Sequence, residues 1–327
     1  MKAARFPFVC WYHLLPVLFV VSLLVVSLLA ESTWAQTADD LVLVNVTVAA
    51  EYGKRLATKL KQENFQIFED NRLQQLEFFS TDDTPISLGV LFDVSASMQG
   101  SHGGDKLGIT RQGLNEFLQA SNPRDELFVI AFSDHLLVTK IPELPHLQAK
   151  GRTALLDAVY LGIEKMRDAH NARKVLLIIS DGGDNASRYT ESEIKKRLKE
   201  VDVQIDSICL LGSGPPAPEE VRGPRLLNEL SDLSGGMTIV AGQADEILAA
   251  AKMLAEALRN PYVLGYRPKN TARDGTWRKI GVKVVLPNGS KAHHVYARAG
   301  YFAPNVPKAT SAISGKGIVV GEKSSYH

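Results

Sequence analysis

Cysteine is nearly absent from this chain of 327 residues, which has only Cys10 and Cys209. Cys10 falls inside an N-terminal leader and is not placed as a lipoprotein cysteine would be, so no lipid anchor is expected. Removal of the leader would leave Cys209 alone, with no internal disulfide possible. Cys209 lies in the apolar run IDSICLLG with no basic residue or histidine beside it. It reads as a small buried strand residue rather than a reactive thiol. An excess of charge of one sign is also lacking: 37 Lys and Arg face 36 Asp and Glu, a formal net charge of +1. That balance provides no field to hold nucleic acid or an anionic membrane surface. Several catalytic motifs are missing as well. There is no G-x-x-x-x-G-K-[ST] loop, no G-x-S-x-G around a serine, and no H-E-x-x-H among the eight histidines. Nucleotide hydrolysis, serine hydrolysis and zinc hydrolysis therefore lack support. His293 and His294 are adjacent on an expected strand, hence on opposite faces.

The one long apolar run is N-terminal. Lys2 and Arg5 precede Leu14 to Ala30, and Thr33-Trp34-Ala35 follows. That order predicts a secretory signal over residues 1–35 with cleavage after Ala35. The run is slightly long for a signal and slightly short for a membrane span, which leaves an uncleaved anchor as the alternative. Either reading sends the rest of the chain out of the cytoplasm, to be secreted or held in the periplasm or cell envelope.

Three textures follow. Residues 36–84 place Val42, Val44, Val46 and Val48 on one face and continue into FQIFEDNRLQQLEFFS. Period-two spacing and a turn at Glu69 to Arg72 predict a small antiparallel β unit, with Asn71 able to adopt the left-handed conformation. This unit is too small to stand alone. Residues 85–259 alternate continuous apolar strands (ISLGVLFD, ELFVIAFS, LLVT, KVLLIIS, QIDSICLL, MTIV) with helices at Lys106 to Ala120, Ala154 to Ala169, Glu191 to Val201, Leu226 to Leu233 and Asp245 to Arg259. The pattern predicts an α/β domain: a doubly wound, mostly parallel sheet covered on both faces. Residues 260–304 return to strands, with Asn288-Gly289 between two alternating runs as a hairpin signal. Residues 305–327 read as a polar, glycine-bearing tail.

Where the first strand of the α/β region runs out, LFDVSASMQG turns abruptly polar. Asp93, Ser95 and Ser97 there are compatible with a nucleophile, a phosphate cradle or a metal. Ligands in an open parallel sheet bind outside the carboxyl ends of the strands. Two more polar clusters occupy comparable places: Gly151-Arg152-Thr153 before one helix, and Asp181-Gly182-Gly183-Asp184-Asn185 after KVLLIIS. Asp93, Ser95, Ser97, Thr153 and Asp181 make an all-oxygen set suited to a hard divalent cation, Mg2+ first, with Mn2+ or Ca2+ possible. Neutral hydroxyls bind without cancelling the ion's charge. Val94 and Ala96, between the donors, are expected to face the core.

This set resembles the metal-ion-dependent adhesion site of the von Willebrand factor type A (VWA) fold, which pairs a D-x-S-x-S strand end with a distant Thr and a distant Asp. The resemblance covers roughly Pro85 to Arg259. The flanks FQIFEDNRLQQLEFFS, YVLGYRP and RAGYF resemble those of secreted bacterial VWA-related proteins, with Asn71 where a Gly is usual. It implies that the serines and Thr153 are direct or near-direct ligands, and that Asp93 and Asp181 act partly through water. It further implies a protein partner offering an Asp or Glu carboxylate, no enzymatic activity, and a last helix, Asp245 to Arg259, that shifts on ligand binding. The Ala-Leu face of that helix fits plain packing equally well. Asp184 and Asn185 read as groups that cap the next loop, with support of the metal ligands from behind as the alternative. Rival readings are ordinary turn and cap residues, a haloacid-dehalogenase-like phosphotransferase, and a scaffold whose metal only stiffens loops. The second rival needs an acid two residues after the nucleophile, where this chain has Ser95.

Overall fold

The computed structural model describes residues 41–51, 55–99, 106–211, 218–286 and 294–305. The leader, the Asn288-Gly289 turn and the tail from residue 306 onward lie outside them. Five strands come first: β1 (Val42–Glu51), β2 (Arg55–Leu56), β3 (Phe65–Glu69), β4 (Arg72–Leu73) and β5 (Leu76–Ser80). The alternating region contains β6 (Ile86–Asp93), α1 (Lys106–Gln119), β7 (Glu126–Phe132), β8 (Leu136–Thr139), α2 (Leu155–Met166) and β9 (Arg173–Ser180). It continues with α3 (Glu191–Lys199), β10 (Gln204–Leu210), α4 (Pro218–Ser234), β11 (Thr238–Ala241) and α5 (Ala244–Arg259). Four strands follow: β12 (Tyr262–Tyr266), β13 (Trp277–Val284), β14 (His294–Ala297) and β15 (Gly300–Phe302).

The continuous apolar runs become the middle of a six-stranded sheet ordered β11-β10-β9-β6-β7-β8. Every residue of β6 is buried, as expected of a strand covered on both faces. Alternation along it divides the core. Leu88, Val90 and Phe92 pack with Leu107, Leu114, Phe117, Leu254 and Leu258 of α1 and α5. Leu91 joins Leu155, Val159, Ile194 and Leu227 of α2, α3 and α4 on the other side. The α/β class therefore holds, but the sheet is mixed. Four of its pairings are parallel, whereas β7 and β8 run antiparallel. The three residues Ser133 to His135 suffice for that hairpin, since only a parallel neighbour requires a long crossover. α5 buries Ile247, Ala250, Ala251, Leu254 and Leu258, the packing role its Ala-Leu face allows. α4 starts eight residues before the expected Leu226, with Gly223 and Pro224 inside it.

The two flanking β segments share their sheets with each other. One sheet is ordered β14-β1-β12-β5, with β2 on β1, and the other β15-β13-β3-β4. β1 pairs antiparallel with β12 from Val42↔Tyr266 to Val46↔Tyr262, and β3 with β13 from Glu69↔Ile280 to Phe65↔Val284. Val44, Val46, Val48, Phe65, Ile67, Leu264 and Ile280 form their common core. Neither segment could bury its apolar face alone; each completes the other. Among the described residues β13 bonds to β3 and β15 and β14 bonds to β1; the hairpin expected at Asn288-Gly289 lies outside them. The β3–β4 turn is tight, with Asp70 at φ 47° and Asn71 at φ 66°, the conformation a two-residue type I′ turn needs.

Glu69 is 2% exposed and ties this β layer together. Its Oε2 accepts hydrogen bonds from Tyr266 Oη at 2.9 Å and Tyr301 Oη at 2.8 Å, joining β3, β12 and β15. Burial raises the pKa of both phenols, and Glu69 raises it further. A hydrogen bond to a charged group is worth about 1.5–3 kcal/mol. Tyr266→Phe should lower the urea unfolding free energy by about that amount, and an unchanged midpoint would remove Glu69 from this role. In the central sheet Asp206 accepts from Met237 N at 2.7 Å and Gln204 Nε2 at 2.8 Å. Burial pushes its carboxyl up to about 6, against those hydrogen bonds and the Arg173 guanidinium. The folded chain then binds this proton more tightly than the unfolded chain, so stability falls as pH rises from about 4 to 6. Asp206→Asn should flatten that decline in urea unfolding at pH 4, 5 and 6; the same slope as the parent would refute it.

Candidate metal centre

β6 ends at Asp93 because the chain beyond it is pinned to other loops. Val94 N–H donates to Phe132 O at 2.8 Å, Lys150 N–H to Val94 O at 2.8 Å, and Ala96 N–H to Gly151 O at 3.0 Å. Asp93 is fully buried. Its Oδ1 accepts from the Ser95 amide at 2.8 Å and its Oδ2 from Ser180 Oγ at 2.5 Å. Ser95 and Ser97 bring their hydroxyls to within 3.0 Å of each other. Ala96 does not face the core as expected. It is exposed, and Met98 is buried in its stead, because Ala96–Gln99 is a 3-10 turn whose period is near three rather than the two of a strand.

Thr153, 5% exposed, is held from both sides. Its N–H donates to Asn185 Oδ1 at 2.9 Å, and its carbonyl accepts from Asn185 N and Ala186 N, each at 3.0 Å. Ala154 N–H reaches Ser133 O at 2.8 Å. Ala154 gives α2 no side-chain cap. Asp184 Oδ1 supplies one across the gap, accepting from Leu156 N at 3.3 Å and from Ser187 Oγ at 2.5 Å. Asp184 thus caps the first turn of α2 and Asn185 clasps Thr153, so both residues brace the Thr153 loop.

Asp181, 4% exposed, directly follows β9. Its Oδ1 accepts from Gly183 N at 3.3 Å. Its Oδ2 is buried and has no hydrogen-bond donor among the described residues. Lys106 Nζ stands 3.6 Å from it as an ion pair. The loop backbone is pressed against α4: a Cβ on Gly223 would lie 2.2 Å from Asp181 O, and Gly182, at φ +77°, would clash with Gly223 in return. The Cys209 thiol also faces Asp181 O, at 3.9 Å. Burial and then the Asp181 carboxylate push that thiol up to about 12, so it is inert.

All five candidate residues therefore lie on three loops that hydrogen-bond to one another at the carboxyl end of the sheet. Burial first, then the Asp181 carboxylate, pushes Asp93 up to about 7, despite hydrogen bonds from Ser180 and Ser95. Two desolvated carboxylates near each other, one with an oxygen lacking a donor, and three hydroxyls suit a hard cation. Among the described residues no three His, Cys, Asp or Glu side chains group as a metal would need, so a cation here would have to use the hydroxyls. Sequence reasoning missed Ser180, Lys106 and Gly223. The expected helix begins only at Leu226, past Gly223, and nothing local marks Lys106 or Ser180.

No family model matches the chain, and no curated relative does either. Solved structures of similar fold include a von Willebrand factor type A protein from Catenulispora acidiphila, 11% identical over 82% of this chain and 73% of that one, TM-score 0.44. An aerotolerance-related membrane protein from Bacteroides fragilis is 14% identical over 53% of this chain and 98% of that one, TM-score 0.41. A pilus adhesin from Lactobacillus rhamnosus is 10% identical over 78% of this chain and 50% of that one, TM-score 0.43. Among the described residues no helix is long and apolar enough to cross a membrane.

The contact between α4 and the Asp181 loop can be tested directly. Gly223→Ala forces the two backbones apart and should cost about 1–3 kcal/mol, read by urea unfolding. A variant as stable as the parent would show that the contact does not hold the loop.

Proposed function

We propose that this chain is an exported protein-binding module of the von Willebrand factor type A kind, with a metal-ion-dependent adhesion site at Asp93, Ser95, Ser97, Thr153 and Asp181. The observation that carries this reading is where the two acids lie. The strand order reverses between β6 and β9, the switch point at which doubly wound sheets bind ligands, and Asp93 ends one strand while Asp181 follows the other. We read the helices on both faces as that doubly wound plan, with a β module built from both flanks. A divalent cation, Mg2+ foremost, would supply an electrophilic centre for a partner's Asp or Glu. The chain's own part is to present Ser95, Ser97 and Thr153 as neutral oxygen donors and to hold Asp93 and Asp181 in a dry setting. Ser95 stands where a phosphotransferase needs its second acid, which disfavours that enzyme. Export rests on the leader.

Capture from the native cell envelope in Mg2+, followed by elution with EDTA, separates adhesion from a merely stiffened scaffold. Adhesion predicts release on chelation. A folded domain that keeps its captured protein in EDTA, or captures nothing in Mg2+, would overturn it. Ser97→Ala and Thr153→Ala should each weaken Mg2+ affinity in calorimetry by at least about 10–100-fold, the range known for losses outside the ligand set. Unchanged affinity in both would end the site assignment.

A further inference from the structure

The carboxylates of the site are not equally satisfied. Asp93 has both oxygens hydrogen-bonded, one by the Ser95 amide and one by Ser180 Oγ. Asp181 has only Oδ1 served, by Gly183 N, and its Oδ2 is buried without a donor among the described residues. The ion pair at that oxygen is made by a cation of the chain itself. Lys106, the first residue of α1, places Nζ 3.6 Å from Asp181 Oδ2, with its side chain 13% exposed.

We propose that Lys106 is an intrinsic competitor for the site: its ammonium neutralises Asp181 when no metal is bound, and a divalent cation must displace it. The inference rests on the proposed metal site and names a residue outside the five donors. An isolated buried carboxylate is costly, and one positive charge at this distance relieves much of that cost. A dication engaging Asp181 Oδ2 would stand beside the ammonium, where like charges repel strongly in a dry setting. The two cations therefore exclude each other at this oxygen. Lys106 sits on the opening turn of α1, where Thr110 Oγ1 bonds to the Lys106 carbonyl at 2.6 Å. Exchange of metal for ammonium thus releases an anchor of the first turn of α1, and occupancy of the metal is felt by that helix. The site's affinity is set below what its oxygen set alone would give, and cation binding loosens one neighbouring element as it tightens the loops.

The test compares the full chain with Lys106→Met, which keeps the apolar stem and removes the charge, and with Lys106→Gln in case the first variant folds poorly. Mn2+ and Mg2+ affinities are read by calorimetry, and melting temperatures in EDTA and in Mg2+. Lys106→Met should melt lower than the parent in EDTA, because Asp181 loses its counter-charge. It should bind either cation about tenfold tighter or more, and gain more melting temperature from Mg2+ than the parent does. In the parent, Mn2+ should speed amide exchange in the second turn of α1, whose amides bond back to the first-turn carbonyls; in the variant it should not. Equal or weaker cation affinity in both variants would overturn the competition while leaving the metal site standing. Absence of cation binding in parent and variants alike would overturn the metal site itself, and this inference with it.

Discussion

Two carboxylates meet at the carboxyl ends of neighbouring parallel strands, and much of the surrounding structure serves to make that encounter tolerable. Asp93 and Asp181 are each at most 4% exposed, so neither can rely on water. Asp93 is stabilised by a backbone amide and a serine hydroxyl from the adjacent strand, and still its proton is held up to about 7. Asp181 is left with one weak amide contact and a lysine ammonium. Placing like charges together in a dry site is destabilising unless something positive is expected there. The same constraint explains the inert Cys209: a thiol beside these acids is held protonated.

The site is rigid because its loops are tied to one another and not only to the sheet. Ala96 binds Gly151, Ala154 binds Ser133, and Thr153 is clasped by Asn185. α4 presses on the Asp181 loop through two glycines, a contact closer than any side chain allows. Side chains placed this way keep their geometry, which is the preorganisation that the proposed metal site would need. Met98, fully buried beneath the Ser95–Ser97 turn, anchors the turn in the core below.

The sequence made the strands of the central sheet legible because both their faces are buried. Leu88 to Phe92 and Val175 to Ile179 contain no polar side chain, so the polar ends that follow them, with their acids, were visible. The order Asp-x-Ser-x-Ser, Thr, Asp could likewise be read along the chain. What could not be read is whatever depends on a partner far off in sequence. Lys106 looks like any first residue of an amphipathic helix. Gly223 shows no sign of its use, which is a backbone contact with Asp181 forty-two positions earlier. Ala96 was placed inward by strand periodicity, but the chain had already turned into a 3-10 helix. The flanking strands were recognised individually, whereas their pairing across about 200 residues leaves no local mark.

That long-range pairing also decides which end of the molecule is free. β6 begins at Ile86, close after β5, and its N–H is held by Asp125 Oδ1 at 2.8 Å. α5 ends at Arg259, which pairs with Asp83 at 3.1 Å and Asp125 at 3.3 Å, and β12 starts three residues on. The β layer is therefore attached at the amino end of β6. Asp93 lies at the other end of this eight-residue strand, roughly 23 Å away at the usual rise. A Tyr-Glu-Tyr clasp locks the β strands to one another. Folding both flanks into one β module, rather than placing one at each end of the sheet, leaves the end that carries Asp93 and Asp181 clear of the flanking strands.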